Sequence, residues 1–352
     1  MKSKNISILF SQPGDSSGAD DQDTLEQVRS VRAALEELDY ETRELEADKN
    51  LPRFREILEK HRGNLIFNLC DPLAGDGRLI SLFPLVLEQE EFPFTGCSAD
   101  ALYLTSNKII SKKIMAQQGI PVPSWHGAGS CTSGNGHQKE CSTGGFFPGR
   151  FIIKSVWEHG SAGLTSDSVV TVSREEELDE LLESSGAELF AERFLPGREI
   201  SVALLSDGKG SWEILPPSEI IYRDRGDPSP FLDYRSKWDE TSDAYRDSSR
   251  SLDFDSSDDP LLKELSLIAG ECVDLFCMNG YARVDFRMDE AGKPHVLEVN
   301  ANPCISPGAG FAAESSKAGI SYIEMVSRII ASPLGIHKRS NQKEGIYGSR
   351  IQ

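Results

Sequence analysis

Hydrophobic and polar positions along the first hundred residues follow two alternating periods. "ISILF" (6–10) is a continuous apolar run of strand length, and "LIFNLCD" (65–71) and "FPFTG" (92–96) are two more. Leu25, Val28, Val31, Leu35 and Leu38 recur at three- and four-residue steps, which predicts a helix from Thr24 to Leu38; another apolar helix is predicted from Leu79. Strands separated by helical crossovers imply a parallel sheet, and ligands of such sheets sit beyond the strand C-termini. The loops "FSQPGDSSGADD" and "CDPLAGDG" are therefore of interest.

Farther along, a helix is predicted from Asp100 to Gln118, with Lys108, Lys112 and Lys113 on or near its surface and Gly119 closing it ahead of two prolines. Residues 127–149 are dense in Gly and Ser and read as a surface insertion. Cys131, His137 and Cys141 lie within it, without the second pair of ligands that a zinc site needs. "RFIIKS" (150–155), "ELFAERF" and "EISVALLS" predict strands, and Ser173 with Glu176 forms a capping-box start to "SREEELDELLES". The polar stretch 223–259 reads as a long functional loop. Pro260 opens a helix that Gly280 stops, "SYIEMVSRII" (321–330) is the last helix, and a frayed tail follows.

A chain of 352 residues exceeds one ordinary core and implies two or three domains. A formal charge of −19 argues against a nucleic-acid surface, which needs a basic face. No apolar run approaches the roughly 18 residues of a membrane span. The apolar stretch after "MKSKN" is too short for a signal peptide, so a cytoplasmic location is expected. Seven dispersed cysteines with no CxxC pair fit reduced thiols, and Cys272 and Cys277 are expected in a core.

The densest chemistry lies in "YARVDFRMDEAGKPHVLEVNANPC". Side chains alternate across a strand, so Arg283, Asp285 and Arg287 share one face, as do Glu298 and Asn300 on the next strand, with Leu297 and Val299 opposite. A turn centred between Ala291 and Gly292 places Asp285 opposite Glu298 and Arg283 opposite Asn300. Like charges directly opposite destabilise a sheet, so something must offset them. Arg283 alone can do so as a structural ion pair. The alternative is a divalent cation, since two carboxylates and an amide oxygen suit Mg²⁺. The sharp "ANPC" break, which opens one side of the site, favours the ion. Lys108 and Lys154 are candidate phosphate cations, and the small residues Gly160 to Gly163 form a loop that can bring backbone N–H groups to phosphate oxygens.

"SNKIISKKIMAQQGIPVP", "FIIKSVWEHGSAG", "AERFLPGREISVALL", "LDYRSKW", "GYARVDFRM", "HVLEVNANP" and "AGISYIEMVSRII", in that order, resemble the ATP-grasp superfamily and within it the D-alanine–D-alanine ligase family, over roughly residues 5–333. The resemblance implies an α/β protein, α+β in its C-terminal part, with an ATP-grasp fold behind an N-terminal parallel-sheet domain. The implied divisions are 1–100, 101–190 (holding the insertion), 191–335 and a tail over 336–352. It implies an ATP-dependent carboxylate–amine ligase working through an acyl phosphate, with ATP, Mg²⁺ (or Mn²⁺), amino acids or small peptides as its ligands, and a homodimer as the family's common assembly.

Residue by residue, Lys108 and Lys154 match the lysines that hold ATP phosphates, and Gly160 and Ser161 the loop that covers them. Glu192 matches the reader of the adenine amine, Phe194 and Leu195 the hinge, and Glu199 the ribose ligand. Lys237 is similar to the mobile-loop lysine near the γ-phosphate, and Asp285, Glu298 and Asn300 to the metal ligands. Arg283 is similar to the arginine that stabilises the oxyanion, with Ser161 and Lys237 beside it in catalysis. The chain also departs from the family. Gly160 replaces a serine, Trp238 replaces a tyrosine, and Ala309 and Gly310 stand where a Ser-Leu pair holds the second substrate's carboxylate. Asp23 and Glu26 are both candidates for an N-terminal substrate carboxylate. These departures imply retained ATP handling with rebuilt amino-acid recognition. The alternatives are an authentic D-alanine–D-alanine ligase and a catalytically silent ATP-binding module.

Overall fold

The computed structural model describes residues 4–11, 19–70, 76–127, 146–157, 163–185, 188–209, 211–223, 230–232, 235, 237 and 242–333. The chain begins with β1 (Asn5–Phe10), α1 (Ala19–Glu37), β2 (Glu41–Glu46), α2 (Leu51–Glu59), β3 (Leu65–Asn68), a 3₁₀ turn at Gly77–Leu79 and α3 (Leu82–Gln89). The expected parallel sheet is present in the order β2-β1-β3, but its membership differs. "FPFTG" contributes one bridge, Phe94 beside Ile66, and β2 takes the outer place instead. In β2, "ETRELE", only Leu45 is buried, so an edge strand held by backbone bonds left no apolar pattern to read. Ile6, Ile8 and Phe10 pack with Val28, Val31 and Leu35 of α1. Leu9 and Ile66 point the other way, to Phe54 of α2 and Phe83 of α3.

The single helix expected over 100–118 is two, α4 (Ala99–Ser106) and α5 (Lys108–Gln117). Asn107 breaks it with an extended backbone, and its side chain accepts from the N–H groups of Ile109 (3.1 Å) and Ile110 (2.9 Å). That is an N-cap, and it re-aims the next turn. Lys108 and Lys112 are consequently buried, at 8% and 1% exposure, and not on the surface as the sequence suggested.

A second sheet, β4 (Trp125–His126), β5 (Gly149–Ser155), β6 (Val169–Val172) and β7 (Leu189–Arg193), is antiparallel in the order β4-β7-β5-β6. Leu178 of α6 (Glu175–Ser184) packs on it beside Phe151 and Ala191. The cap of α6 is shifted from the expected one: Arg174 is the N-cap residue, and Glu177, not Glu176, accepts from the Ser173 N–H at 3.0 Å. Cys131, His137 and Cys141 lie outside the described residues.

The C-terminal part runs β8 (Glu199–Ser206), β9 (Trp212–Ile214), β10 (Ser218–Tyr222), α7 (Asp243–Arg246), β11 (Ser248–Ser251), α8 (Asp259–Leu275), β12 (Tyr281–Met288), β13 (Pro294–Asn300), α9 (Gly310–Lys317) and α10 (Tyr322–Ala331). The stretch expected as a loop over 223–259 thus carries α7 and β11. Its strands form one sheet, β11-β10-β8-β12-β13, with β9 on β8 and β13 at an edge. Val202, Leu204, Val284 and Phe286 pack on one face against Leu265, Ala269 and Cys272 of α8. The other face joins Leu205 and Tyr281 to α10, α1 and β1, so the first and last parts of the chain share a core. Cys277 is exposed rather than core, and its left-handed backbone (φ 48°) ends α8 before Gly280. Gly280 (φ 76°) is needed for the next turn, where a Cβ would stand 3.2 Å from the Gly96 backbone. Among the described residues no helix is long and apolar enough to cross a membrane.

Candidate active site

Asp285 lies opposite Glu298 and Arg283 opposite Asn300, as the sequence predicted, but by another route. Arg287 faces His295 and Met288 faces Pro294, which centres the turn on Ala291 and, continued, would put Glu298 opposite Val284. A β-bulge between Asp285 and Phe286 corrects this: Phe286 pairs with Val296, and Leu297 is the extra residue. The burial of β13 shows the same change of phase. Val296 and Val299 are both in the core, at 0% and 1% exposure, while Leu297, Glu298 and Asn300 are only partly buried. The expected pairing of Leu297 with Val299 on one apolar face is therefore replaced by Val296 with Val299.

The Arg283 guanidinium closes on Asp285 as a fork, Nε to Oδ1 at 2.7 Å and Nη2 to Oδ2 at 2.8 Å, with both side chains 19% exposed. Burial opposes the Arg283 charge, but Asp285, with Glu314 and Glu298 farther off, holds its pKa above the ordinary value. Asn300 Oδ1 accepts from the Asn302 N–H at 3.0 Å, and Asn302 is itself held by the Tyr281 hydroxyl (2.8 Å) and the Cys70 carbonyl (3.1 Å). Lys237 sits within electrostatic reach of this group; burial, then the Arg283 charge, lowers its pKa, while Asp285 and Glu298 oppose the change. Among the described residues no three His, Cys, Asp or Glu side chains gather at one point. An ion here would rest on two carboxylates, one amide oxygen and ligands from outside the chain, which is the coordination habit of Mg²⁺. A carboxylate has about four lone-pair sites, so Asp285 can serve Arg283 and an ion together.

On β7, Glu192 is 1% exposed between two ammonium groups, Lys154 Nζ at 2.6 Å from Oε1 and Lys112 Nζ at 2.6 Å from Oε2. Ile152 pairs with Glu192, so Lys154, two residues on, shares its face diagonally. Burial works against the Glu192 charge, and Lys112 and Lys154 overcome it, so the group stays a carboxylate. After β7, Phe194 and Leu195 are 6% and 8% exposed, and the Leu195 carbonyl accepts from Arg287 Nε at 2.8 Å. Glu199 Oε2 accepts from Arg287 Nη1 and the Tyr222 hydroxyl, both at 2.7 Å. Lys108 thus opens α5, Lys154 and Glu192 lie on β5 and β7, Glu199 starts β8, and Phe194 and Leu195 lie in the connection between β7 and β8. Gly160 and Ser161 lie outside the described residues.

Beside the hairpin lie Asp23, one of the two N-terminal candidates, and Cys304, Arg250 and Glu314, which the sequence reading did not single out. Asp23 of α1 accepts from Cys304 Sγ and Ser306 Oγ, each at 2.8 Å, whereas Glu26 pairs with its helical neighbour Arg29. Burial, reinforced by Asp23, pushes the Cys304 thiol up to about 12. Arg250 Nη1 donates to the Gly308 carbonyl at 3.2 Å, beside the start of α9, where Ala309 makes no side-chain cap. Glu314 of α9 is wholly buried and accepts from the Ala203 N–H (2.7 Å) and Ser218 Oγ (2.6 Å). Burial pushes its carboxyl up to about 7, against those bonds and the Arg283 charge. A carboxylate in the apolar helical run "GFAAESSKAGI" was the available signal.

Comparison with known proteins completes the description. Residues 114–331 match the family model described as D-ala D-ala ligase C-terminus. The chain is 28% identical over 307 residues to the D-alanine–D-alanine ligase of Aquifex aeolicus, covering 87% of this chain and 94% of that protein. It is 29% identical over 310 residues to the uncharacterized protein y4sG of Sinorhizobium fredii, covering 86% and 85%. The solved D-alanine–D-alanine ligase of Bacillus anthracis complexed with ATP superposes with a TM-score of 0.66 at 19% identity, covering 93% of this chain and 96% of that one. The VanG D-Ala:D-Ser ligase of Enterococcus faecalis gives 0.65 at 17% identity, covering 93% and 98%.

Proposed function

The chain belongs to the D-alanine–D-alanine ligase family and is an ATP-grasp ligase; from that premise we propose that it joins a carboxylate to an amine through an acyl phosphate, on substrates other than two D-alanines. The observation that carries the reading is the pairing of Asp285 with Glu298 at the partly open mouth of the β12–β13 hairpin, with Arg283 and Asn300 beside them. Bound there, Mg²⁺ would neutralise and align phosphate oxygens. Lys108, Lys154 and Lys237 supply positive charge along the phosphate chain. Arg283 is held by Asp285 with its planar donors in place, ready to take up negative charge as the amine attacks. Preorganised donors in a closed cleft do most of the work in such transfers. Loops that close exclude water from the acyl phosphate.

The altered specificity is supported by three features of the acceptor side. Ala309 at the start of α9 has no hydroxyl, Arg250 stands next to it, and Asp23 is engaged by Cys304 and Ser306. Lengthwise similarity to the Aquifex enzyme favours a second reading, an authentic D-alanine–D-alanine ligase. Phosphate release from ATP, measured with a panel of amino acids and dipeptides, separates the two. Turnover is expected with a mixed pair of substrates and not with D-alanine alone. Robust turnover with D-alanine alone rejects altered specificity, and no release with any pair rejects the ligase assignment in favour of a silent ATP-binding module.

A further inference from the structure

The hairpin raises a question of energy. The turn, left to itself, places Glu298 against the apolar face, and the bulge at Leu297 is what returns it to Asp285. A one-residue slip sends every side chain of a strand to the other face, so the bulge decides whether the two carboxylates meet. A bulged residue loses its ladder bonds, and β13 lies at the edge of its sheet among the described strands. The bulged form persists only if its loose backbone groups find partners.

Those partners come from α5 and the turn after it. The Pro121 carbonyl accepts from the Val296 N–H at 2.8 Å. Lys112 Nζ donates to the Leu297 carbonyl at 3.0 Å, and the same ammonium is 2.6 Å from Glu192, the partner of Lys154. Lys112 is 1% exposed, so both of its interactions are shielded from water. We propose that Lys112 is a positioning residue for both halves of the site: through Leu297 it fixes the bulge that sets Glu298 against Asp285, and through Glu192 it fixes Lys154. The inference rests on the reading of Asp285 and Glu298 as an ion-binding pair. Lys154 and Glu192 are proposed ATP contacts, whereas Lys112 acts on them and on Glu298 through its bonds to Glu192 and Leu297.

Lys112→Met keeps an unbranched apolar stem and removes both the hydrogen bond to Leu297 and the ion pair with Glu192. In the protein without nucleotide or metal, hydrogen exchange at the amides of Val296 and Glu298 is expected to quicken about tenfold or more, relative to Tyr281–Arg283, which stay paired with β8. Mn²⁺ affinity, followed by the electron paramagnetic resonance of unbound ion, is expected to fall about tenfold. The KM for ATP should rise, and kcat should fall with it. Lys112→Arg, which keeps a charged donor, should recover most of the Mn²⁺ affinity. A folded Lys112→Met protein with exchange and Mn²⁺ affinity within about twofold of wild type overturns the proposal. If wild type itself binds no Mn²⁺, the ion-binding reading fails, and the exchange data alone decide the role of Lys112. Should Lys112→Met not fold, Lys112→Ala purified in n-propylammonium carries the test. Dialysing the amine away should loosen exchange at Glu298, and an unchanged rate refutes the inference.

Discussion

Asp285 and Glu298 face each other with like charge, yet their deletion should not be equivalent. Asp285 holds the Arg283 fork in both positions, so Asp285→Ala leaves a largely buried guanidinium without its partner, a loss on the order of 2 kcal/mol. Glu298→Ala removes the repulsion with Asp285 together with a weaker attraction to Arg283 and Lys237, so it should lower the melting temperature less than Asp285→Ala does. Both variants should lose Mg²⁺-dependent ATP turnover by about 100-fold or more, measured as phosphate release beside calorimetric melting. Glu314 offers a second test at this scale. Its folded pKa of about 7 lies above the ordinary 4.5, so the protonated form is the one the fold favours. Stability from this group is fully present below pH 4.5 and is lost as pH rises through 7. Compared with Glu314→Gln, which should show no such loss, wild type should lose about 3 kcal/mol between pH 4.5 and 8 in denaturant titrations. A parallel pH dependence in the two proteins would place the ionisation elsewhere.

At the scale of elements, the decisive features are interruptions. Asn107 divides one predicted helix into two and turns Lys108 and Lys112 inward. Asn107→Ala should cost about 1 kcal/mol of stability through the lost cap. Because Lys108 follows the cap directly and its N–H is bonded to the Val156 carbonyl (3.0 Å), the same change should raise the KM for ATP more than it lowers kcat. An unchanged KM would mean that the cap does not position Lys108. The apolar period continues through Asn107, so the pattern alone favoured a single helix, although Asn two residues before "II" was a readable N-cap signal. The bulge at Leu297 is the opposite case. The pairing of Asp285 with Glu298 was predicted from an even turn, and the structure reaches it through an odd turn and one extra residue. Two departures cancelled, because burial of Val296 and Val299 fixes the strand's phase more strongly than the turn does.

For the molecule as a whole, the core that unites α1, β1, β12 and α10 explains how the loop after Asn300 lies against Asp23. None of those contacts is local: Asp23 and Cys304 are far apart in the chain, and neither sits in a pattern that names the other. By itself, the sequence determined the alternation of strands and helices, the α/β class, and the hairpin that gathers Arg283, Asp285, Glu298 and Asn300, because periodicity and strand pairing are properties of neighbouring residues. It could not determine that β2, a polar edge strand, completes the first sheet, since its support comes from the backbone of β1. Nor could it show that Glu192 is clasped by two lysines, or that Glu314 lies wholly buried within reach of Arg283. Burial is set by what packs over a residue, and charge in a buried place is set by which distant partner arrives. The tertiary structure alone decided both.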